Sequence, residues 1–167
     1  DGKIDLTDIG LAEEDIRRTS QIYIVACGSA YHVGMVAQYV IEDLVKIPVR
    51  VELASEFRYR KPILDPNGLV IIISQSGETA DSLAALRLAK EQGIRTLAVV
   101  NVVGSSIARE TDHVFYTLAG PEISVATTKA YSTQLMASYI LAIQFAKVKN
   151  AITEEQYENY IAELQAI

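Results

Sequence analysis

Leu69-Val-Ile-Ile-Ile73 sets five apolar residues in succession directly ahead of the polar stretch Ser74-Gln-Ser-Gly-Glu-Thr79. Side chains alternate between the two faces of a strand, so an uninterrupted apolar run belongs inside a parallel sheet covered by helices on both sides. Four further runs read as strands: Gln21–Ala26, Val49–Ala54, Arg95–Asn101 and His113–Leu118. Helical periodicity occupies the intervals at Tyr31–Val45, Thr79–Gln92, Ser105–Glu110 and Thr128–Lys149. The second of these places Leu83, Leu86 and Ala89 on one face and stops at Gly93, a residue suited to ending a helix. Alternation of this kind predicts right-handed crossovers and a doubly wound sheet. The expected fold class is α/β, in three layers.

Two further helices flank that core. Leu11–Ser20 is short and polar, and the last starts at Thr153, where Thr153-Glu-Glu-Gln156 has the spacing of a capping box, and runs to about Ala166. The expected organisation is therefore one domain, with an N-terminal extension and helix over 1–20, an α/β core over 21–149 and a C-terminal helix over 150–167. Thr128–Lys149 carries Tyr131, Leu135, Met136, Tyr139, Ile140, Leu141, Ile143 and Phe145 in nearly every direction around its axis. Such a helix is either central to a core or packed against a second body, and a chain this small favours contact with another domain or subunit.

At 167 residues the chain can bury roughly 68–70% of its unfolded surface without disulfide or metal. One cysteine fits a reducing cytosol, and the expected location is cytoplasmic. With 15 basic against 21 acidic residues the formal charge is −6, which argues against nucleic acid as a partner. Its longest apolar runs fall far short of the roughly 20 residues that span a bilayer, so no membrane association is expected. No secretory leader is evident, and a chain that begins at Asp1 is expected to be part of a longer protein.

In an open parallel sheet, ligands bind beyond the carboxyl ends of the strands. Three small, polar loops fall there: Cys27-Gly-Ser-Ala30, Ser74 to Thr79, and Gly120 to Lys129. The second is the most informative. Three hydroxyls, an amide and a glycine stand between a buried strand and a helix N-terminus, whose free N–H groups and dipole attract an anion. Ser74, Ser76 and Thr79 can surround a phosphate with neutral donors, which suits a phosphate monoester of a small polyol. The loop is neither a Walker A sequence nor a Gly-x-Gly-x-x-Gly dinucleotide loop, so no cofactor is expected. For any one hydroxyl, plain helix capping is the competing explanation. The cluster as a whole favours anion binding.

Ser74-Gln-Ser-Gly-Glu-Thr-Ala-Asp81, preceded by Ala54-Ser-Glu-Phe-Arg-Tyr-Arg60, closely resembles the sugar isomerase (SIS) domain. More narrowly, it resembles the first SIS domain of the glucosamine-6-phosphate synthases, the isomerizing glutamine–fructose-6-phosphate aminotransferases. Val25-Ala-Cys-Gly28, Asn101-Val-Val-Gly-Ser-Ser106 and Ala126-Thr-Thr-Lys-Ala130 agree in order and spacing, so nearly the whole chain is covered. The resemblance implies a five-stranded parallel sheet of flavodoxin-like order with fructose 6-phosphate at its loops. It further implies that Ser74, Gln75, Ser76 and Thr79 bind the phosphate. Cys27, Gly28 and Ser29 would line the sugar, with Val125 and Thr127 opposite. The chain departs from the family where Ser29-Ala30 replaces a common Thr-Ser, which removes one sugar-facing hydroxyl, and where Thr127 replaces a common Ser. The family's glutaminase domain, and the second SIS domain and tail that carry its general base and Schiff-base lysine, are not in this chain. Isomerisation needs a base placed between two carbons, and no residue here is a stand-alone candidate. Alone, the domain is expected to bind and not to turn over.

Cys27 lacks a cationic neighbour in sequence and reads as an inert thiol. Glu78 reads as a dipole partner of the helix it begins, in preference to a general base. His32 and His113 lie far apart with no acidic or cysteine cluster at ligand spacing, so no metal is expected. Arg58, Arg60 and Lys61 read as a solvated face or subunit contact, and Lys129 is near enough to the third loop to be considered for ligand contact. Two competitors remain open: a non-catalytic sugar-phosphate sensor and an SIS-type sugar-amine deglycase. The resemblance and the apolar helix together predict a homodimer.

Overall fold

The computed structural model describes residues 2–123 and 127–167. Five parallel strands, β1 (Ile22–Ala26), β2 (Val49–Leu53), β3 (Leu69–Ser74), β4 (Arg95–Val100) and β5 (His113–Tyr116), form one sheet in the order β2-β1-β3-β4-β5. The helices are α1 (Glu13–Arg18), α2 (Ser29–Val45), α3 (Ala54–Tyr59), α4 (Ala80–Glu91), α5 (Ser106–Glu110), α6 (Lys129–Val148) and α7 (Glu154–Gln165), with a 3-10 turn at Thr7–Ile9. This is the expected three-layer α/β/α arrangement in flavodoxin-like order.

The apolar run in β3 explains itself in cross-section. Leu69, Ile71 and Ile73 face one layer with Ile22, Ile24, Leu97 and Val99, against Val33, Ala37 and Ile41 of α2 and Leu141 and Phe145 of α6. Val70 and Ile72 face the other, with Tyr23, Val25 and Ala98, against Phe57 of α3, Ala85, Leu86 and Ala89 of α4 and Ile107 of α5. Gly34 lets α2 approach the sheet closely, because a Cβ there would lie 2.9 Å from Ile24 Cγ2 and 3.0 Å from Val51 Cγ1. The edge strands β2 and β5 are only partly buried.

Several boundaries differ from the sequence reading. The chain turns into α3 at Ala54, because Ala54 and Phe57, both fully buried, tuck under the sheet. A six-residue helix is too short for periodicity to reveal. Strand β5 stops at Tyr116, and Leu118 takes a left-handed φ of 50°. Asn101, just past β4, captures this segment: its Oδ1 accepts from the Ala119 N–H at 2.7 Å and its Nδ2 donates to the Gly120 carbonyl at 2.8 Å.

Helix α6 does not need a second body to cover it. Leu141, Ile143 and Phe145 are buried, and Tyr131, Leu135, Met136, Tyr139 and Ile140 are half-buried, inside this chain. Helices α2, α1 and α7 and strand β4 surround it. On its outer side Ile143 packs with Tyr157 and Ile161 of α7. Both arms of the expected Thr153–Gln156 capping box are present at the start of α7. Lys149, just beyond α6, donates to the carbonyls of Arg17 and Thr19, both at 2.8 Å, and of Ile16 at 3.3 Å, satisfying the end of α1.

Asp112 fastens β5 to β4, accepting from the Thr96 N–H at 3.0 Å and Oγ1 at 2.7 Å and from Lys90 Nζ at 2.8 Å. Burial pushes its carboxyl up, but the bonds from Lys90 and Thr96 outweigh that and hold it below its ordinary 3.8. A depressed carboxyl contributes stability that is present above the unfolded value and lost as pH falls through the folded one. Asp112→Asn should therefore cost about 1 kcal/mol at pH 7 in urea titrations, allowing for solvent screening. The difference from wild type should shrink as the pH drops below 4.

Candidate functional site

Strands β1 and β3 are neighbours, yet the helices that follow them leave toward opposite layers: α2 toward one and α4 toward the other. A crevice opens above the two strands, at the topological switch point. It holds a cavity of about 140 Å³ lined by Cys27, Ser29, Ala30, Ile73, Ser74, Gln75, Ser76, Thr79, Thr127 and Gln134. That is smaller than the several hundred Å³ of pockets that enclose a whole drug-sized ligand.

Thr79 does not act as the side-chain cap of α4. It occupies the N-cap position of α4, but its side chain makes no capping bond. Its Oγ1 lies instead 2.8 Å from Ser74 Oγ, and Ser74 Oγ accepts the Gly77 N–H at 3.1 Å. Ser76 Oγ accepts the Glu78 N–H at 3.2 Å. The hydroxyls thus brace the loop itself, and the N–H groups of the first turn of α4, a helix of 12 residues, remain for a ligand. Helix α2, of 17 residues, also begins at this crevice without a side-chain cap. Among the described residues no Lys, Arg or His lines the cavity, so two helix dipoles and neutral donors provide its positive potential.

Gly77 is the mechanical centre of the loop. Its φ of 67° is left-handed, and a Cβ would lie 2.1 Å from Ser105 Oγ. Its carbonyl accepts the Ile107 N–H at 3.0 Å, joining the loop to α5. The backbone N–H of Asn101 donates to the Gln75 carbonyl at 3.1 Å, so the residue that holds 119–120 also holds the second loop.

Of the nine expected site residues, seven line this cavity: Cys27, Ser29, Ser74, Gln75, Ser76, Thr79 and Thr127. Gly28 adjoins it as the exposed N-cap of α2. Val125 lies outside the described residues. Cys27 Sγ is 3.8 Å from Ser82 Oγ. Thr127 Oγ1 donates to Glu122 and accepts the Ala130 N–H at 3.1 Å, capping α6.

Several side chains are placed otherwise than the sequence suggests. Glu78 does not serve its own helix: its carboxylate accepts the Ser106 N–H at 2.8 Å and caps α5. The bond to Ser106 holds its pKa below 4.5, and the side chain points away from the cavity. Lys129 donates to the Pro121 carbonyl and does not line the cavity. Arg58 pairs with Asp81 at 2.7 Å, and Arg60 with Glu52. Among the described residues no group of three His, Cys, Asp or Glu side chains could hold a metal ion, and no helix is long and apolar enough to cross a membrane. Gln134 and Ile73 line the site without having been singled out. For Gln134 a signal existed: it interrupts the core-facing row Ala130, Gln134, Ala137, Leu141 with an amide.

A larger groove, about 790 Å³, lies between α2, α6 and α7 and is lined by Tyr39, Leu44, Tyr139, Ile143, Tyr160 and Leu164 among others. Its charged residues are Asp43 and Glu163, which would repel a phosphate.

A five-stranded parallel sheet in this order, with a loop of serine and threonine hydroxyls at its switch point, defines a three-layer, flavodoxin-like α/β domain. The SIS domain family matches residues 15–144, and the chain belongs to that family. It is 57% identical over 164 residues to the isomerizing glutamine–fructose-6-phosphate aminotransferase of Clostridium tetani, covering 98% of this chain and 27% of that protein. The C-terminal domain of glucosamine-fructose-6-phosphate aminotransferase from Francisella tularensis superposes with a TM-score of 0.95 at 46% identity, over 99% of this chain and 47% of that one. Glucosamine-6-phosphate deaminase from Thermotoga maritima superposes with a TM-score of 0.74 at 26% identity, over 86% and 44%. The chain thus spans about a quarter of the length of the curated relatives it matches.

Gly77→Ala should lower stability by about 2–3 kcal/mol, combining the left-handed backbone with the clash. Because both Oγ and Cβ of Ser105 crowd that position, Ser105→Gly on the same background should recover more of the loss in thermal melts than Ser105→Ala, which removes only the Oγ contact.

Proposed function

We propose that this chain is the first SIS domain of a glucosamine-6-phosphate synthase and holds fructose 6-phosphate with its phosphate at the start of α4. The observation that carries the reading is Thr79, which stands at the N-cap and leaves the helix's N–H groups uncapped. Ser74, Gln75, Ser76 and Thr79, with the α4 amides, take the phosphate. Cys27, Gly28, Ser29, Val125 and Thr127 surround the sugar carbons. In the whole enzyme, L-glutamine and D-fructose 6-phosphate give D-glucosamine 6-phosphate and L-glutamate, a first step toward activated amino sugars. No cofactor is required for that transfer.

Within this scheme the domain positions the substrate, and the glutaminase and second SIS domains of a longer chain provide ammonia, base and Schiff-base lysine. That the domain alone binds without turnover is supported by the cavity lining, in which none of the described side chains is a carboxylate, imidazole or amine. A cytoplasmic setting agrees with the single, unpaired Cys27.

At 100 times the dissociation constant a ligand adds about 2.7 kcal/mol, or roughly 5–10 °C for a domain of this size. Fructose 6-phosphate should produce that rise, inorganic phosphate a smaller one, and free fructose none. Ser76→Ala with Thr79→Ala should abolish it. A rise with fructose 6-phosphate that survives the double substitution would remove the phosphate from this loop.

We further propose that the domain is a homodimer. Tyr39, at the rim of the apolar groove, is 77% exposed, and the groove's other tyrosines and leucines offer a surface for a second copy. Light scattering behind size exclusion should give twice the chain mass of 18.3 kDa. A monomer at high concentration would exclude it.

A further inference from the structure

Gln134 is 2% exposed. It lies in the second turn of α6, on the row Ala130, Gln134, Ala137 and Leu141 that turns toward the sheet. Beyond the helix's own ladder, the hydrogen bond made to this residue reaches its backbone carbonyl, which accepts from Ser138 Oγ at 2.9 Å. None of the described residues hydrogen-bonds its side-chain amide. By contrast the buried side chains of Thr19, Ser74, Ser82, Thr96, Asn101 and Ser138 all have partners. Ser105 Oγ is the one buried side-chain polar atom among the described residues that is sealed off without a partner. The Gln134 amide is therefore not sealed: it opens onto the cavity it lines with Cys27, Ala30, Ser74 and Thr79.

A buried, unpaired carboxamide costs stability, and a row otherwise filled by Ala and Leu would be served better there by an apolar side chain. Its retention is explained by a ligand. The hydroxyls, the α4 amides and the Gln75 amide nitrogen of the phosphate cradle can each turn a donor to a dianion. A carboxamide offers an acceptor oxygen beside a donor nitrogen. Against a phosphate that oxygen would be repelled. Against a hydroxyl, which both donates and accepts, both ends of the amide are used.

We infer that Gln134 is a specificity residue: its side-chain amide exchanges hydrogen bonds with a hydroxyl of the sugar whose phosphate sits at α4. This rests on the hexose-phosphate reading of the site. A polar residue buried at the cost of stability and recovered by ligand is the signature of a binding group, and loss of such a contact discriminates between ligands with and without the hydroxyl.

Gln134→Met keeps the length and removes the amide. Thermal melts and calorimetric titrations of the 167-residue chain with fructose 6-phosphate and with inorganic phosphate test it. Expected are an unliganded melting temperature equal to or above wild type, a dissociation constant for fructose 6-phosphate raised about tenfold, and an unchanged constant for inorganic phosphate. Gln134→Leu should behave alike, and Gln134→Asn should lose affinity for the sugar phosphate as well. A melting temperature several degrees lower, with the preference for fructose 6-phosphate over phosphate kept, would show a structural residue and overturn the inference alone. Equal weakening of both ligands would place the amide on the phosphate and overturn it too. Wild type that binds the two ligands equally would overturn the hexose-phosphate reading and the sugar contact together.

Discussion

Parallel strands that are apolar on both faces must be covered twice, and the way this chain divides its helices between the two faces creates the site. Helix α2 follows β1 to one layer and α4 follows β3 to the other, although β1 and β3 are hydrogen-bonded neighbours. No crossover can close the space above them. The crevice is therefore a consequence of sheet order and needs no special residue to open it. What the local sequence decides is what lines it.

The lining separates two jobs that hydroxyls at a helix start can do. Ser74, Ser76 and Thr79 bond to one another or to the N–H groups of Gly77 and Glu78, which stiffens the turn between β3 and α4. The α4 amides are left over. Positive potential then comes from helix termini in a protein whose formal charge is −6, and it is confined to the first turn of each helix. A potential of that kind reaches only a group already within the crevice.

Support for the loop comes from behind. Glu78 caps α5, Gly77 accepts from Ile107, and Asn101 holds Gln75 with its backbone and residues 119–120 with its side chain. The second and third loops are thereby registered to each other through one buried asparagine. Such braces matter because a binding group displaced by a fraction of an ångström loses much of its worth. The chain spans about a quarter of its relatives' length, and under the proposed function this part is the one that holds the ligand.

The five strands, the long helices, the Thr153 cap and the polar loop after β3 were legible in the sequence, because each is written in neighbouring residues. Period two or 3.6, a capping spacing or a polar loop after an apolar run is a local record of local physics. Helix α3, the diversion of the chain after Tyr116 and the partners of Glu78, Lys129 and Gln134 were not legible in this way. Glu78 stands 28 residues from the N–H it caps, and nothing near either position marks the pairing. The apolar surround of α6 read as a docking face, yet most of it is covered by helices far away along the chain. Gln134 shows in the sequence only as an amide within an apolar row, until it proves to line the same cavity as Ser74 and Thr79. Backbone preference and hydropathy act over a few residues and survive as pattern. Which polar atom finds a partner, and which is left for a ligand, depends on distances that exist only once the layers have packed.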